Sequence, residues 1–184
     1  MEKGRAGLGW GFDRAGRGLM PGTSAITDIE QLKDHPAVVR LLASSSVVIE
    51  GAKFDREEMS IYVNRASIRD ACVQLRDDPA CPFNYLSDVT CVDWYPQEPR
   101  FEVIYHLLSI SQKERVRIKV RLSGSSPSLE SVTSIWPSAN YFEREVYDLF
   151  GVRFDGHPYL RRMLMPENWD GHPLRKDYPV EGYR

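Results

Sequence analysis

Thiol groups are scarce in this chain of 184 residues. It has three cysteines, Cys72, Cys81 and Cys91, and no Cys-x-x-Cys pair. An odd, dispersed set is typical of a reducing compartment and argues against a disulfide framework. An iron–sulfur cluster held by this chain would need about four close thiolates, so the sequence argues against one. Cys72 falls on the apolar face of a predicted helix, where a buried free thiol is expected.

Long apolar runs, a strong net charge and glycine-rich phosphate loops are also missing. The apolar runs are a few residues long, far short of the roughly 20 that span a bilayer, and the basic N-terminus lacks the apolar stretch of a secretory signal. The net charge is −2, so general attraction to nucleic acid or to an anionic membrane is not expected. Neither a GxGxxG nor a GxxxxGK loop occurs, and no Ser/His/Asp order suggests a hydrolase.

What is present is the composition of an ordinary globular domain, with 42% hydrophobic and 27% charged residues. Residues 1–26 are rich in glycine and arginine and predict a disordered extension, with a specific role for Trp10 or Phe12 as the alternative. Residues 27–151 predict the folded domain. Residues 152–184 are too rich in proline and glycine to bury much surface alone, yet too apolar for a solvated tail. They predict an extended arm that orders on a partner, and the alternative, for the first half of the arm, is that it wraps its own domain.

The hydrophobic periodicity alternates between helical and extended segments, and the strongest signal lies in residues 114–122, where apolar and basic residues alternate strictly. The predicted strands are residues 47–50, 59–63, 86–95, 101–110 and 114–122. The predicted helices are residues 27–42 with a break at Pro36, 67–76 capped by Ser67, 129–136, and 141–150 capped by Asn140. The fold class is therefore α+β, a largely antiparallel sheet covered by helices and followed by an extended C-terminal arm.

The basic face of the third long strand has three interpretations. It carries Arg115, Arg117, Lys119 and Arg121. A solvated face or an edge strand protected by charge is the common reason for such a stripe. Docking of an acidic partner is the second, and nucleic-acid binding, which would need aromatic stacking partners, is the third and least favoured.

Charged residues crowd the last predicted helix. Glu143 stands three residues after Asn140, a capping-box spacing, and Gly151 stands where a left-handed residue usually ends a helix. Glu143 and Glu145 point about 200° apart on a helix, so they cannot act together as an acid–base pair. Arg144 and Asp148 have the spacing of an i, i+4 ion pair. The alternative is that both glutamates receive arginines from elsewhere in the chain.

The tetrapeptide Asp-Gly-His-Pro occurs twice, at residues 155–158 and 170–173. Asp-Gly predicts a turn and proline a rigid exit, which would hold His157 and His172 at fixed angles to bond the backbone or a carboxylate. A metal site would need further ligands, and the spacing matches no zinc pattern.

The residues between 143 and 178 form one ordered motif. Its members are Glu143, Arg144, Glu145, Asp148, Gly151, Gly156, His157, Pro158, Leu160, Arg161, Arg162, Gly171, His172, Pro173, Leu174, Arg175, Lys176, Asp177 and Tyr178. This motif resembles the signature of the C-type subunit of the respiratory NADH:quinone oxidoreductase, complex I. The resemblance extends more loosely over residues 27–178. Because the chain stops at Arg184, it resembles the form of this subunit that is not fused to the D-type subunit.

The resemblance implies an α+β subunit of the peripheral arm without a catalytic site of its own. It implies no cofactor on this chain, with FMN, iron–sulfur clusters and quinone bound elsewhere in the complex. The implied partners are the D-type subunit of the quinone site and the B-type iron–sulfur subunit, which the motif residues would bind. The implied location is the cytoplasmic side of the inner membrane, or the matrix side in an organelle.

Two other functions stay open at this point. Related subunits occur in membrane-bound energy-converting hydrogenases, and the motif separates the two complexes poorly. A free-standing hydrolase that uses Glu143 or His157 is the alternative from another class, although the helical geometry disfavours it.

Overall fold

In the computed structural model, which describes residues 25–181, a five-stranded sheet shares one hydrophobic core with four helices. Its strands, in the spatial order β1-β2-β5-β4-β3, are β1 (Ile49–Asp55), β2 (Glu58–Val63), β3 (Tyr85–Asp93), β4 (Phe101–Ser109) and β5 (Glu114–Leu122). Only the β2–β5 pairing is parallel in this sheet. The prediction of an α+β fold with a mainly antiparallel sheet is confirmed.

The helices follow the predicted apolar stripes. They are α1 (Ile29–Leu32), α2 (Pro36–Leu42), α3 (Ile68–Arg76) and α4 (Ala139–Phe150). Pro36 is the first residue of α2, as the predicted break requires, because proline lacks the N–H that a helix interior needs. None of the helices between residues 25 and 181 has the length and apolar character to cross a bilayer. Of the predicted extension, residues 1–26, the part up to residue 24 lies outside the described residues. Ile26 forms a β-bridge with Phe54.

The charged strand β5 is central rather than at an edge. Its alternate residues Val116, Ile118, Val120 and Leu122 are buried. On the other face, Arg117 forms a salt bridge with Glu58, while Lys119 and Arg121 both bind Glu102. The edge-strand interpretation is therefore wrong, because β2 and β4 already occupy both sides of β5. Docking of an acidic partner on this face stays a prediction.

Helix α3 begins where predicted, directly after Ser67, but the predicted capping hydrogen bond of Ser67 is wrong. Ser67 makes no capping hydrogen bond to α3, because its hydroxyl accepts from Val48 N–H at 3.2 Å and donates to Asn64 O. Asn64 caps the preceding turn Arg65–Ser67 by accepting from Ala66 N–H at 3.0 Å.

The predicted helix at 129–136 is absent and a strand takes its first part. Here β6 (Ser128–Glu130) pairs in parallel with β7 (Arg153–Asp155), which places Leu129 opposite Phe154 in the core. Val132, Ile135 and Trp136 are also buried. A strand followed by a single turn therefore buries the same residues that suggested a helix.

The strand β1 is longer than predicted, since it continues to Asp55 and forms a tight hairpin with β2. The two loop residues, Arg56 and Glu57, have φ angles of 52° and 65°. Positive φ at both positions matches the right-handed twist of the strands but is unfavourable for side chains other than those of glycine, asparagine and aspartate.

Replacing this loop by the pair Arg56→Asn and Glu57→Gly should raise the free energy of unfolding by about 0.5–1 kcal/mol, because both new residues tolerate positive φ. Urea denaturation measures the change. Glu57→Ala keeps a Cβ and should give no such gain. A lower midpoint for the Asn-Gly variant would contradict the hairpin geometry.

Candidate functional site

The C-terminal end of α4 is capped by the segment that follows it, residues 152–181, here called the tail. A helix leaves its last four carbonyl groups without helical partners. Gly151 N–H donates to Tyr147 O at 2.9 Å, and Leu174 N–H donates to Leu149 O at 3.1 Å. His172 Nδ1 bonds Asp148 O at 2.9 Å, and Arg175 Nε donates to Phe150 O at 2.6 Å. Every terminal carbonyl is therefore satisfied, three of them by the tail.

Gly151 ends α4 as predicted, with a φ angle of 75°. The close approach of the tail adds a second requirement for glycine. A Cβ atom at this position would lie 2.5 Å from both Arg175 Nη2 and His172 Nε2. Backbone conformation and packing therefore both favour a residue without a side chain here.

The carboxylate of Asp148 is the main attachment point for the tail. Its side chain is fully buried. One oxygen accepts from Arg162 Nη1 at 2.7 Å. The other accepts from three successive backbone N–H groups, those of Met163, Leu164 and Met165, at 2.8–2.9 Å. Consecutive N–H groups aimed at one anion form a nest, which compensates a buried negative charge.

These contacts decide the ionisation of Asp148. Burial alone would raise its pKa, but the N–H groups of Met165 and Met163 and the Arg162 guanidinium outweigh burial and hold the pKa below its ordinary value. The same arginine also donates to Trp169 O and Gly171 O, both at 3.0 Å. The predicted pair of Arg144 with Asp148 is therefore wrong, since Asp148 turns inward to the tail.

A second attachment joins the tail to the turn between β3 and β4. Arg100 binds Asp93 through two hydrogen bonds of 2.8 and 2.9 Å, and it binds Asp177 through two of 2.6 and 2.9 Å. Lys176 N–H also donates to Asp93 at 2.9 Å. Burial opposes ionisation of Asp93, but Arg100 and the N–H groups lower its pKa to about 2. Planar two-point contacts of this kind fix orientation as well as distance.

The first part of the tail lies against the start of α4. His157 Nε2 lies 3.2 Å from Asn140 O, and its Nδ1 accepts from Tyr159 N–H. Arg144 donates to the carbonyls of Arg161 and Arg162 at 3.2 and 3.3 Å. Both histidines of the repeat therefore bond backbone groups, as predicted, and Gly156 and Gly171 have the positive φ of the predicted turns.

The two glutamates of the motif are separated as helical geometry predicts. Glu145 is exposed, whereas Glu143 is fully buried and accepts from Ser131 Oγ at 2.7 Å and Val132 N–H at 2.8 Å. The predicted capping box is therefore wrong, because the Glu143 side chain turns into the core instead of back to Asn140. Its partners are a hydroxyl and an N–H group, so the alternative of an incoming arginine is also wrong for Glu143.

The tail therefore lies on its own domain from Val152 to Asp177, which includes the first half, for which this was the alternative to an arm that orders on a partner; Val180 is fully exposed. Val152 and Phe154, at its start, are part of the core. The motif residues that join the tail to α4, the core or the β3–β4 turn are Arg144, Asp148, Gly151, His157, Leu160, Arg161, Arg162, His172, Leu174, Arg175, Lys176 and Asp177. Gly171 O accepts from Arg162 within the tail. The side chain of Arg161 binds Glu167 at the surface, and Tyr178 OH lies 3.5 Å from Asp170 O. Pro158 is exposed and Pro173 half-buried at the exits of the two turns.

The outer face of the tail exposes large apolar side chains. We use this name for Tyr159, Leu164, Trp169 and Leu174, which are 51%, 58%, 39% and 49% exposed. Their backbone is held by the contacts described above, so the side chains are presented on a fixed support. Aromatic and large apolar residues of this kind are typical of the centres of protein interfaces.

Two residues of this site were not predicted, Asp93 and Arg100. They flank a turn with two prolines, far in sequence from the motif. Their only sequence signal is a charge at the end of one buried strand and another at the start of the next. Within the described residues, no three side chains of His, Cys, Asp or Glu are grouped so that they could hold a metal ion. The three cysteines are free and buried.

Comparison with known proteins gives a consistent result. The family model described as "Respiratory-chain NADH dehydrogenase, 30 Kd subunit" matches residues 61–184. A protein of Roseiflexus sp. (strain RS-1), named as the C-type subunit of NADH-quinone oxidoreductase, is 48% identical over 81% of this chain and 86% of its own length. A protein of the same name from Citrifermentans bemidjiense is 43% identical over 82% of this chain and 92% of its own.

Two solved structures are similar. The trypsin-resistant fragment of Nqo5 has a TM-score of 0.53 and 28% identity, and the match covers 72% of this chain and 98% of the fragment. A chain of the membrane-bound sulfane sulfur reductase, described as an archaeal respiratory membrane complex, has a TM-score of 0.62 and 28% identity over 83% of this chain and 85% of its own.

Asp148→Asn should lower the free energy of unfolding by about 3–5 kcal/mol, because it breaks a buried pair and leaves Arg162 without its carboxylate. Urea denaturation at neutral pH measures the loss. Since the folded-state pKa of Asp148 is lowered, its contribution is present above the ordinary value of 3.8 and is lost as the pH falls through the folded-state value. The difference between the two proteins should therefore shrink in acid. Glu145→Gln, on the exposed side of α4, should change stability by about 0.5 kcal/mol or less.

Gly151→Ala should detach the second half of the tail, whereas Gly156→Ala should not. Both substitutions place a side chain at positive φ, which costs roughly 1–2 kcal/mol. Only Gly151 has atoms in the way, since a Cβ at Gly156 meets nothing within 4 Å. Trypsin cleavage after Arg175 should therefore be faster in the first variant only. Equal cleavage in both would contradict the role of close packing at Gly151.

Proposed function

The chain belongs to the family of the C-type subunit of NADH-quinone oxidoreductase, the 30 kDa subunit of the respiratory-chain NADH dehydrogenase, and on that basis we propose that it is a docking subunit of complex I without catalytic groups of its own. It supports electron transfer from NADH, through FMN and iron–sulfur clusters, to quinone, coupled to proton translocation. The observation that carries this proposal is the tail, which is bonded to α4 and to the β3–β4 turn and exposes large apolar side chains on its outer face.

The proposed partners are the D-type subunit of the quinone site and the B-type iron–sulfur subunit. The outer face of the tail is the proposed contact surface. Because the inner contacts already hold the tail, little conformational entropy is lost when a partner binds, and pre-organisation of this kind raises affinity. In this proposal most motif residues do not touch the partner. Asp148, Arg162 and Arg175 instead hold the backbone of the tail, which positions the side chains that touch the partner.

We propose that this chain carries no cofactor and that FMN, iron–sulfur clusters and quinone bind to neighbouring subunits. This proposal is supported by the thiols, since the chain has three cysteines, and Cys72 on α3, Cys81 before β3 and Cys91 on β3 are all free and buried. A cluster needs about four thiolates at one place. The proposed location is the cytoplasmic side of the inner membrane, or the matrix side in an organelle, with attachment through the complex.

An independent hydrolase is the alternative from a different class. Glu143 is fully buried and bonded to Ser131 and Val132, so substrate cannot reach it. His157 has both ring nitrogens engaged with the backbone. Neither side chain is arranged as a general base or a nucleophile, because such a group must reach the reacting atoms.

A deletion of the tail would be a poor test, because it would also leave Asp148 buried without its partners. Substitutions on the outer face avoid this. The triple variant Leu164→Ala, Trp169→Ala and Leu174→Ala should leave the unfolding midpoint of the free chain nearly unchanged. It should reduce recovery of the complex at least about ten-fold, since central aromatic and apolar contacts carry most of the binding energy. Recovery is measured by affinity isolation from gently solubilised membranes, with mass spectrometry and NADH:quinone activity.

Ile110→Ala is the matched control, because Ile110 is 58% exposed and lies after β4, outside the tail. It should recover the complex like the wild type. Co-isolation of a nickel-bearing protein would instead indicate that the chain is a subunit of an energy-converting hydrogenase. Isolation of the wild-type chain without any partner would overturn the docking function.

A further inference from the structure

Among the described residues, two buried carboxyl groups form no salt bridge, those of Asp78 and Glu143, and Asp78 keeps 8% of its surface exposed and accepts from Ala80 N–H. Glu143 is fully buried. By contrast, the buried carboxylates of Asp93, Glu102 and Asp148 each bind an arginine or a lysine. An ionised carboxylate buried without a counter-charge is strongly disfavoured, so it takes up a proton unless hydrogen bonds compensate. Glu143 has two such bonds, from a neutral hydroxyl and a neutral N–H group.

The groups that face Glu143 from the neighbouring elements are neutral and buried as well. Cys72 approaches from α3 and Tyr105 from β4, and the Tyr105 hydroxyl has no hydrogen-bond partner among the described residues. Burial, followed by the charge of Glu143, raises the pKa of both groups. Cys91 on β3 acts on Tyr105 in the same sense. No described arginine, lysine or histidine forms a salt bridge with Glu143.

The partners of Glu143 lie where the tail begins. Ser131 and Val132 directly follow β6, and Ser131 N–H donates to Asp155 O of β7 at 2.8 Å. Ile135 and Trp136 both donate to Val132 O, which closes the turn. The Glu143 carboxyl therefore joins α4 to residues 131–136, and Ser131 in turn binds β7, the strand at the start of the tail.

We propose that Glu143 is a buried proton-binding site that ties residues 131–136 to α4 when protonated and loosens this attachment, together with β7, when it ionises. The protonated group can donate to Ser131 Oγ, which then donates to Thr133 Oγ1, 2.9 Å away. Ionisation replaces this chain of hydrogen bonds by a charge in the core that only the Ser131 hydroxyl and the Val132 N–H group stabilise.

The ionisation equilibrium agrees with this arrangement. Burial raises the pKa of Glu143 to about 7, although the bonds from Ser131 and Val132 oppose the shift. The unfolded chain releases the same proton near the ordinary value of 4.5. The folded state therefore binds the proton more tightly, so the free energy of unfolding falls as the pH rises through this window and levels off above it.

Nuclear magnetic resonance of the full chain with 13C-labelled glutamate tests the proposal directly. The carboxyl carbon of Glu143, assigned through its backbone, should titrate with a midpoint near 7, while that of Glu145 serves as the exposed reference. Amide exchange of Ser131 and Val132, corrected for the intrinsic rate, should rise by up to about ten-fold per pH unit between about pH 5 and pH 7. Exchange in the sheet strands β4 and β5 should rise less.

Glu143→Gln should abolish this pH dependence, because the amide can still accept from Val132 N–H and donate to Ser131 Oγ but cannot ionise. Glu145→Gln should keep the wild-type profile. A carboxyl midpoint near 4.5 in the wild type would overturn the proposal even if Glu143→Gln failed to fold. An unchanged exchange profile in a folded Glu143→Gln protein would overturn it too. None of these measurements depends on a partner, so they leave the docking function untouched.

Discussion

The negative charge of Asp148 governs how the second half of the molecule is organised. A helix ends with a partial negative charge on its terminal carbonyls, and Asp148 adds a full charge at the same place inside the protein. Left alone, this end of α4 would be unstable in a core. The tail compensates it with Arg162 and Arg175, with His172, and with three N–H groups in a row. The tail takes its path because its donors must meet these acceptors.

A similar arrangement of charges occurs at the β3–β4 turn, but there the central buried charge is positive. There Arg100 is the buried cation, and Asp93 and Asp177 are the carboxylates that compensate it. One carboxylate comes from the domain and one from the tail. Without the tail, Arg100 and Asp93 would still neutralise each other, but Asp177 would lose two hydrogen bonds to Arg100 and Asp93 would lose the N–H group of Lys176. Charge-assisted hydrogen bonds are among the strong ones, so they favour a tail that stays in place. This explains how an extended segment with little apolar surface of its own is held.

The sequence predicted secondary structure correctly where hydrophobic periodicity determines it. It did not predict the hydrogen-bond partners of buried polar groups, because several partners were possible for each. The alternation in β5 and the stripe in α3 identified both elements, because burial on one face leaves a regular pattern. The partners of Asp148 were not predictable, since three of them are backbone N–H groups that any residue supplies. Glu143 had the spacing of a capping box, but Ser131, which lies in an irregular turn, decided its orientation. The motif therefore revealed the family, while its inner contacts required the structure.

The long-range contact of Arg100 with Asp177 also has a consequence in time. The two residues are 77 positions apart, so at roughly 5–20 residues per second the ribosome delivers Asp177 about 4–15 s after Arg100. During that interval Arg100 has Asp93 as its only carboxylate partner, and Asp148 gains its three N–H donors only once residues 163–165 have been synthesised. The sheet can condense early, but the outer face of the tail, which we propose for docking, forms only when synthesis has passed the tail. A chain interrupted before that point therefore lacks the surface proposed for assembly.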